Sequence, residues 1–257
     1  MTVQAFDEAY LSERAPVRFS RLKAMAQSPA HYRHAMLEPS QQTESMRRGS
    51  YTHALVLGTA SKWVTFDGIR RGKFWDAFQL DHADKEIITP NEAAPCEAMA
   101  KAVARNADAM ALLTGADHEQ TLAWKFLGRD CEGTPDVVGL EYVADLKTTK
   151  CSQPDRFVRD ATFRGYHAQL AWYLDGVNAR PLEVTRRDAY VIAVESTAPY
   201  PVTVLKLTEG ALEAGRKLCR LWMERLLSCE LANEWPGYVQ SIVGFDVTTA
   251  DDLIFDD

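Results

Sequence analysis

The stretch TPDVVGLEYVADLKTT, residues 134–149, holds two apolar runs with one tight joint. Asp136 to Leu140 and Tyr142 to Thr148 predict two neighbouring strands turning near Glu141. Side chains alternate along a strand, so Asp145 and Lys147, two apart, project from the same face. A hairpin brings Asp136, at the start of the first strand, near Asp145. Two carboxylates and an ammonium then converge at one sheet end, inside the apolar VVGL and VADL context. A solvated hairpin accommodates such charges without any function, so spacing alone leaves both readings open.

The chemistry available to such a trio is specific. Mg²⁺ is hard, prefers oxygen, and is held by one or two carboxylates with water and substrate phosphate. It polarises a phosphodiester, lowers the pKa of bound water and steadies the leaving oxygen. A lysine beside it orients or deprotonates the water, or neutralises charge in the transition state. Nearby cations favour neutral lysine and carboxylates oppose it, so its protonation state is not legible in the sequence.

On the N-terminal side, residues 18 to 58 read as helical, broken at Ser28-Pro29 and around Pro39 to Thr43. Within MRRGSYTHALVLG, Gly49, His53 and Leu57 recur every four residues and share one helical face. Residues 59 to 88 read as irregular and include RRGKFWDAF, where Phe74, Trp75 and Phe78 lie beside three bases. That stretch suits either a base-stacking, phosphate-contacting surface or ordinary core packing. Thr89-Pro90-Asn91-Glu92 predicts a capping box with proline in the first turn, and Gly115 a stop. Pro95 moves the expected start of that helix one turn later. Thr121 to Leu127 predicts a strand, with Leu122, Trp124 and Phe126 on one side, and GRDCEG a turn. Beyond the central stretch, Asp155 to Val177 reads as one long amphipathic helix. Ala189 to Val194 and Val202 to Leu207 read as strands, and Thr208 to Leu227 as a last helix. That order predicts an α/β (α+β) fold with a mixed central sheet flanked by helices. Residues 1–245 are expected to form one domain, followed by an acidic tail at 246–257.

Net charge is −7 over 257 residues, but the last twelve hold five aspartates and no base. Without them the rest carries −2. Basic clusters stand at Arg47-Arg48, at Arg70-Arg71-Lys73, and at Lys147, Lys150, Arg156, Arg159 and Arg164. Such clusters are often plain solvated faces; local patches, not the total, decide whether phosphate docks. Cys96, Cys131, Cys151, Cys219 and Cys229 contain no CxxC pair, which argues against a zinc ribbon or a disulfide framework and for buried thiols. No apolar run nears the roughly 20 residues that span a bilayer, and the acidic start lacks a secretion-signal layout. A cytoplasmic protein is expected.

Pro135-Asp136 followed by Asp145-Leu146-Lys147 resembles the PD-(D/E)xK nuclease motif. The closer resemblance is to the RecE (exodeoxyribonuclease VIII) branch, related to the RecB nuclease domain and more distantly to lambda exonuclease. It extends, in chain order, through SRLKAMAQSPAHY at 20–32, Arg48 to His53, Glu119, Gln169 and Tyr173 in HAQLAWYLDG, and WPGY at 235–238. The resemblance implies a restriction-endonuclease-like core. It implies Asp136, Asp145, Lys147, Gln169 and Tyr173 as catalytic residues, and His53, Asp136, Asp145, Glu119 and the Leu146 carbonyl around Mg²⁺, with Mn²⁺ a substitute. For His53, Gln169, Tyr173 and Glu119 purely structural roles stay open. Arg47, Arg48, Arg70, Arg71, Lys73 and Lys150 are the expected DNA contacts.

The implied activity is exonucleolytic hydrolysis of double-stranded DNA from its ends, 5′ to 3′, in phage-type recombination. A single-strand annealing protein is the expected partner, and the acidic tail, through Leu253, Ile254 and Phe255, a site for docking a basic one. The expected assembly is a homo-oligomeric ring, a tetramer ahead of a trimer. The alternatives are an endonuclease on the same fold and a non-catalytic DNA-binding adaptor. The iron–sulfur cluster of some relatives is not expected, because no cysteine precedes His53. No GxxxxGK[ST] motif occurs, so ATP dependence would require another protein.

Overall fold

The structure is a computed structural model that describes residues 15–37, 42–180, 185–239 and 241–244. The acidic tail and its docking role lie outside the described residues. The chain enters through β1 (Val17–Arg18), α1 (Phe19–Leu22), a 3-10 turn (Lys23–Ala26), α2 (Pro29–Leu37) and α3 (Glu44–Leu57). The Thr43 side chain accepts from the Met46 N–H and starts α3, and Gly58, at φ 81°, ends it. Residues 59–88, read as irregular, instead hold β2 (Trp63–Thr65), α4 (Lys73–Asp81) and β3 (Glu86–Ile88), with β2 and β3 paired in parallel. Pairing between strands some twenty residues apart leaves no local signature.

The capping box forms as expected at Thr89 and Glu92 and opens α5 (Pro90–Arg105). Pro95 sits inside this helix and does not delay its start. Asn106 caps the separate α6 (Ala107–Leu113) through the Ala109 N–H, so the expected single helix is two. Next come β4 (Asp117–His118), β5 (Leu122–Phe126) and β6 (Arg129–Gly133). GRDCEG is therefore largely a strand, and the turn is Leu127-Gly128, one step earlier. Both residues have positive φ, 47° and 82°, as a two-residue hairpin turn requires.

β7 (Val137–Val138) and β8 (Tyr142–Thr149) form the expected hairpin, with Val137 opposite Ala144. The long helix expected over 155–177 is broken at Arg164-Gly165 into α7 (Pro154–Phe163) and α8 (Tyr166–Asn178). Gly165 takes φ 73°, which favours glycine. β9 (Asp188–Glu195), β10 (Val202–Lys206) and α9 (Glu209–Ala232) complete the order.

The main sheet runs β10-β9-β8-β7-β4, with β8 and β9 parallel and the other pairs antiparallel. A second sheet runs β1-β6-β5. Alternation along β8 and β9 sorts the core into two layers. Val143, Val191 and Ala193 meet Leu170, Leu174, Trp222 and Met223 of α8 and α9. Ala144, Leu146, Ile192 and Val194 meet Leu57, Cys96, Met99 and Leu113 of α3, α5 and α6. A mixed sheet between helical layers results. α9 crosses α8 so closely that a Cβ on Gly215 would stand 2.5 Å from the His167 carbonyl oxygen. Cys96, Cys131, Cys219 and Cys229 are buried free thiols and Cys151 is half-buried. Among the described residues no helix is long and apolar enough to cross a membrane.

Candidate active site

Asp145 and Lys147 share the β8 face that looks toward α8, because Val143, two residues earlier, packs there. Asp136 lies just beyond β7, where the ladder to β8 has ended at Val137 and Ala144. In place of a strand carbonyl, Asp136 Oδ2 accepts the Leu146 N–H at 2.7 Å. The same oxygen is 3.4 Å from His53 Nδ1, carried in by α3. Lys147 Nζ stands 2.5 Å from Asp145 Oδ2 and donates to Gln169 Oε1 at 3.0 Å. Gln169 Nε2 in turn donates to the Tyr173 hydroxyl at 3.1 Å, which orients the amide. Helical spacing puts Gln169 and Tyr173 on one face of α8.

Asp145 is 2% exposed, whereas the side chains of Asp136, Lys147 and His53 keep 16%, 18% and 25% of their surface. Burial pushes its carboxyl up, to about 6, with the charge of Asp136 adding to the effect and Lys147 opposing it. Burial also works against the charge on Asp136, but His53, Lys147 and the Leu146 N–H hold it below the usual carboxylate range. For Lys147 the penalty of burial is overcome by Asp145 and Asp136, which hold it above the ordinary lysine value. His53 is likewise raised, Asp136 outweighing burial. In this arrangement Lys147 is an ammonium.

These residues fit a hard divalent cation. Asp145 Oδ2 is buried and, despite the nearby ammonium, has no hydrogen-bond partner. Asp136, His53 and the Leu146 carbonyl are the further oxygen and nitrogen donors that could hold such an ion. Among the described residues no three acidic, histidine or cysteine side chains already form a closed cage. Glu119 joins the site through its backbone: its N–H donates to the Asp136 carbonyl at 3.0 Å, and its φ of 49° is the left-handed conformation.

Two clefts meet beside Lys147. The larger, about 820 Å³, is lined by Arg48, Gly49, Lys150, Arg156, Arg164 and Tyr166, among others. The smaller, about 330 Å³, is lined by Arg18, Lys23, Thr134, Lys147, Gln169 and Tyr173, with Tyr166 at its edge. Of the expected DNA contacts, Arg48 and Lys150 line the larger cleft. Arg48 also pairs with Glu44 at 2.7 Å. Arg47 and Arg70 do not reach the clefts: both turn to Glu92, Arg70 through two bonds of 2.6 and 3.2 Å. Arg71 and Lys73 stay exposed on the β2–β3 arm. The stacking reading of Phe74, Trp75 and Phe78 is corrected in part, because all three pack around the buried Phe66 and only Phe74 remains largely exposed. Tyr166 carries no motif signal in the sequence, and Arg156 and Arg164 stand there only within a basic cluster. The helix break at Gly165 sets Arg164 at the end of α7 and Tyr166 at the start of α8, both on the wall of the larger cleft.

A mixed sheet that opens at one end to present two aspartates and a lysine defines the PDDEXK-like class. Within it, the chain belongs to the family described as PDDEXK-like domain of unknown function (DUF3799), matched over residues 18–243. A protein from Eubacterium rectale, solved as a candidate exonuclease, shares the fold with a TM-score of 0.65 and 14% identity, over 99% of this chain and 98% of that one. An alkaline exonuclease from Laribacter hongkongensis is matched at 13% identity over 88% and 95%, with a TM-score of 0.35. A phage-related exonuclease from Haemophilus somnus is matched at 9% identity over 87% and 98%, with a TM-score of 0.36. No protein of curated function matches the chain.

Proposed function

We propose that this chain is a divalent-metal-dependent exonuclease acting on the ends of double-stranded DNA, with 5′ to 3′ polarity. The observation that carries the reading is the trio Asp136, Asp145 and Lys147, with Asp145 buried and the other two partly exposed, beside the place where two base-lined clefts meet. A buried carboxylate with a second carboxylate near it costs stability and does nothing for packing, so an adaptor that only binds DNA has no use for Asp145 beside Asp136. Polarity, the duplex substrate and a recombination role rest on the RecE-like motif order.

Asp136, Asp145, His53 and the Leu146 carbonyl would hold Mg²⁺ or Mn²⁺, which supplies Lewis acidity at the phosphodiester and a nucleophilic water at neutral pH. Asp136 is already fixed by the Leu146 N–H and His53, so little reorganisation is left to it. Lys147, held by Gln169, offsets charge that develops on the phosphate oxygens. The apolar neighbours that bury Asp145 lower the local dielectric and strengthen its interactions. Arg48, Lys150, Arg156 and Arg164 line the path of the duplex backbone, with Arg71 and Lys73 on the arm as outlying contacts. A ring of copies, tetrameric by the same resemblance, would keep the duplex threaded between cuts.

The deciding experiment digests end-labelled linear duplex beside closed circular DNA. Loss of label from linear DNA, only with Mg²⁺ or Mn²⁺ and abolished by EDTA, is the expected result. Cutting of the circle would replace the reading by an endonuclease, and metal-independent or absent cutting would end it.

DNA affinity gives a second measure. Each phosphate contact contributes about 0.9 to the slope of log K against log salt. Lys150→Ala with Arg156→Ala is expected to flatten that slope by about 2. An unchanged slope would remove the larger cleft from the DNA path.

A further inference from the structure

Tyr166 opens α8 three residues before Gln169 and seven before Tyr173, so the three share one helix face. Lys147 Nζ lies over the Tyr166 ring, 4.6 Å from its centroid. The ring is half-buried and backed by Phe157, with centroids 6.3 Å apart. It lines the larger cleft and the smaller one, and so forms the wall between them beside the ammonium. The Tyr166 hydroxyl has no hydrogen-bond partner among the described residues. What the side chain offers Lys147 is therefore the face of its ring.

Among the described residues the ammonium directly contacts three groups of different kinds: the Asp145 carboxylate, the Gln169 amide oxygen and this ring. Only the first is in demand elsewhere. Once Asp145 Oδ2 is given over to a divalent ion, the ion pair weakens and a cation of like sign stands close to the lysine. The long lysine stem has many rotamers, and repulsion would drive it into either open cleft. The ring lies where that movement would begin. A desolvated cation over an aromatic face is held much more firmly than an exposed one.

We propose that Tyr166 is a positioning residue, whose ring face holds the Lys147 ammonium at the reacting phosphate while Asp145 serves the metal. The proposal rests on the nuclease reading for its consequence in rate, but the contact itself is testable without cleavage. In protein labelled with ¹³C-lysine, the ε-protons of Lys147, assigned by their absence from Lys147→Met, are expected upfield because of the ring current. Tyr166→Phe is expected to keep that shift. Tyr166→Leu and Tyr166→Met, which fill part of the same volume, are expected to lose it with their folds intact.

In kinetics, Tyr166→Phe is expected to keep kcat within about twofold, and Tyr166→Leu to lose about ten- to thirtyfold, with KM for DNA nearly unchanged. A rise in KM at constant kcat would mean that the ring touches DNA and would overturn the proposal. Damage by Tyr166→Phe equal to that by Tyr166→Leu would make the hydroxyl the active part, with the same consequence. A wild-type chain that shows the lysine shift but never cuts DNA would sink the nuclease reading and, with it, the role in rate. A chain that cuts DNA but shows no shift would sink only the proposal about Tyr166.

Discussion

Asp136→Asn, Asp145→Asn and Lys147→Met are each expected to lower the cleavage rate at least about a hundredfold, the scale of one preorganised electrostatic group at a reacting centre. Asparagine keeps the shape of the carboxylate but removes the charge a divalent ion needs. Methionine keeps most of the lysine stem and removes the ammonium. The effect on folding should run the other way for one of them. Asp145 is buried, faces a second carboxylate, and has a carboxyl raised to about 6, so at neutral pH its charge opposes folding of the metal-free chain. Asp145→Asn is therefore expected to unfold at the same temperature as wild type or higher, while losing activity. A functional site that costs stability behaves in this way. Single-turnover rates at saturating Mg²⁺, read beside thermal unfolding without metal, check both halves. Wild-type rates in any one of the three variants would overturn the assignment of the trio.

Glu230→Ala is expected to destabilise the fold by about 3–5 kcal/mol, the usual cost of leaving one partner of a buried ion pair alone. Arg129 opens β6 immediately after the hairpin turn, and its Nη2 meets Glu230 Oε1 at 3.1 Å near the end of α9. The side chains are 4% and 9% exposed. Arginine cannot shed its proton, and its Nε is already buried without a partner. Among the described residues its other side-chain bond is a long one, 3.5 Å, to the Ala15 carbonyl. The pair ties the β1-β6-β5 sheet to the last helix. Replacing both ends by apolar residues, Arg129→Met with Glu230→Leu, removes the orphan charge and is expected to return stability to within about 1 kcal/mol of wild type. Urea unfolding of the single and double variants decides it. A single variant that costs under about 1 kcal/mol would show that water reaches Arg129.

Much of the site was legible because it rests on short-range rules. Strand alternation alone places Asp145 and Lys147 on one face, and helical spacing places Gln169 with Tyr173. The hairpin brings Asp136 to Asp145, only nine positions further along the chain. Thr89, Pro90 and Glu92 announce the start of α5 through bonds made within four residues. The misreadings share a cause. GRDCEG has the composition of a turn, yet Arg129, Cys131 and Gly133 are buried by β1, β5 and the helices behind them. A charged residue becomes a core residue there only because Glu230, a hundred positions later, pairs with it. Arg70 looked like a phosphate contact until the fold brought Glu92 to it.

The sequence by itself determined the class of sheet, the apolar faces of β8 and β9, the trio at the opened end and the absence of cysteine pairs. Each depends on residue identity and on a period of two or about four. The tertiary structure alone decided that His53 reaches Asp136, that Arg47 and Arg70 turn away to Glu92, and that the α7–α8 break sets Tyr166 beneath Lys147. These are contacts between segments tens of residues apart. Their energies depend on burial and on which charges end up face to face, and neither exists until the chain has folded.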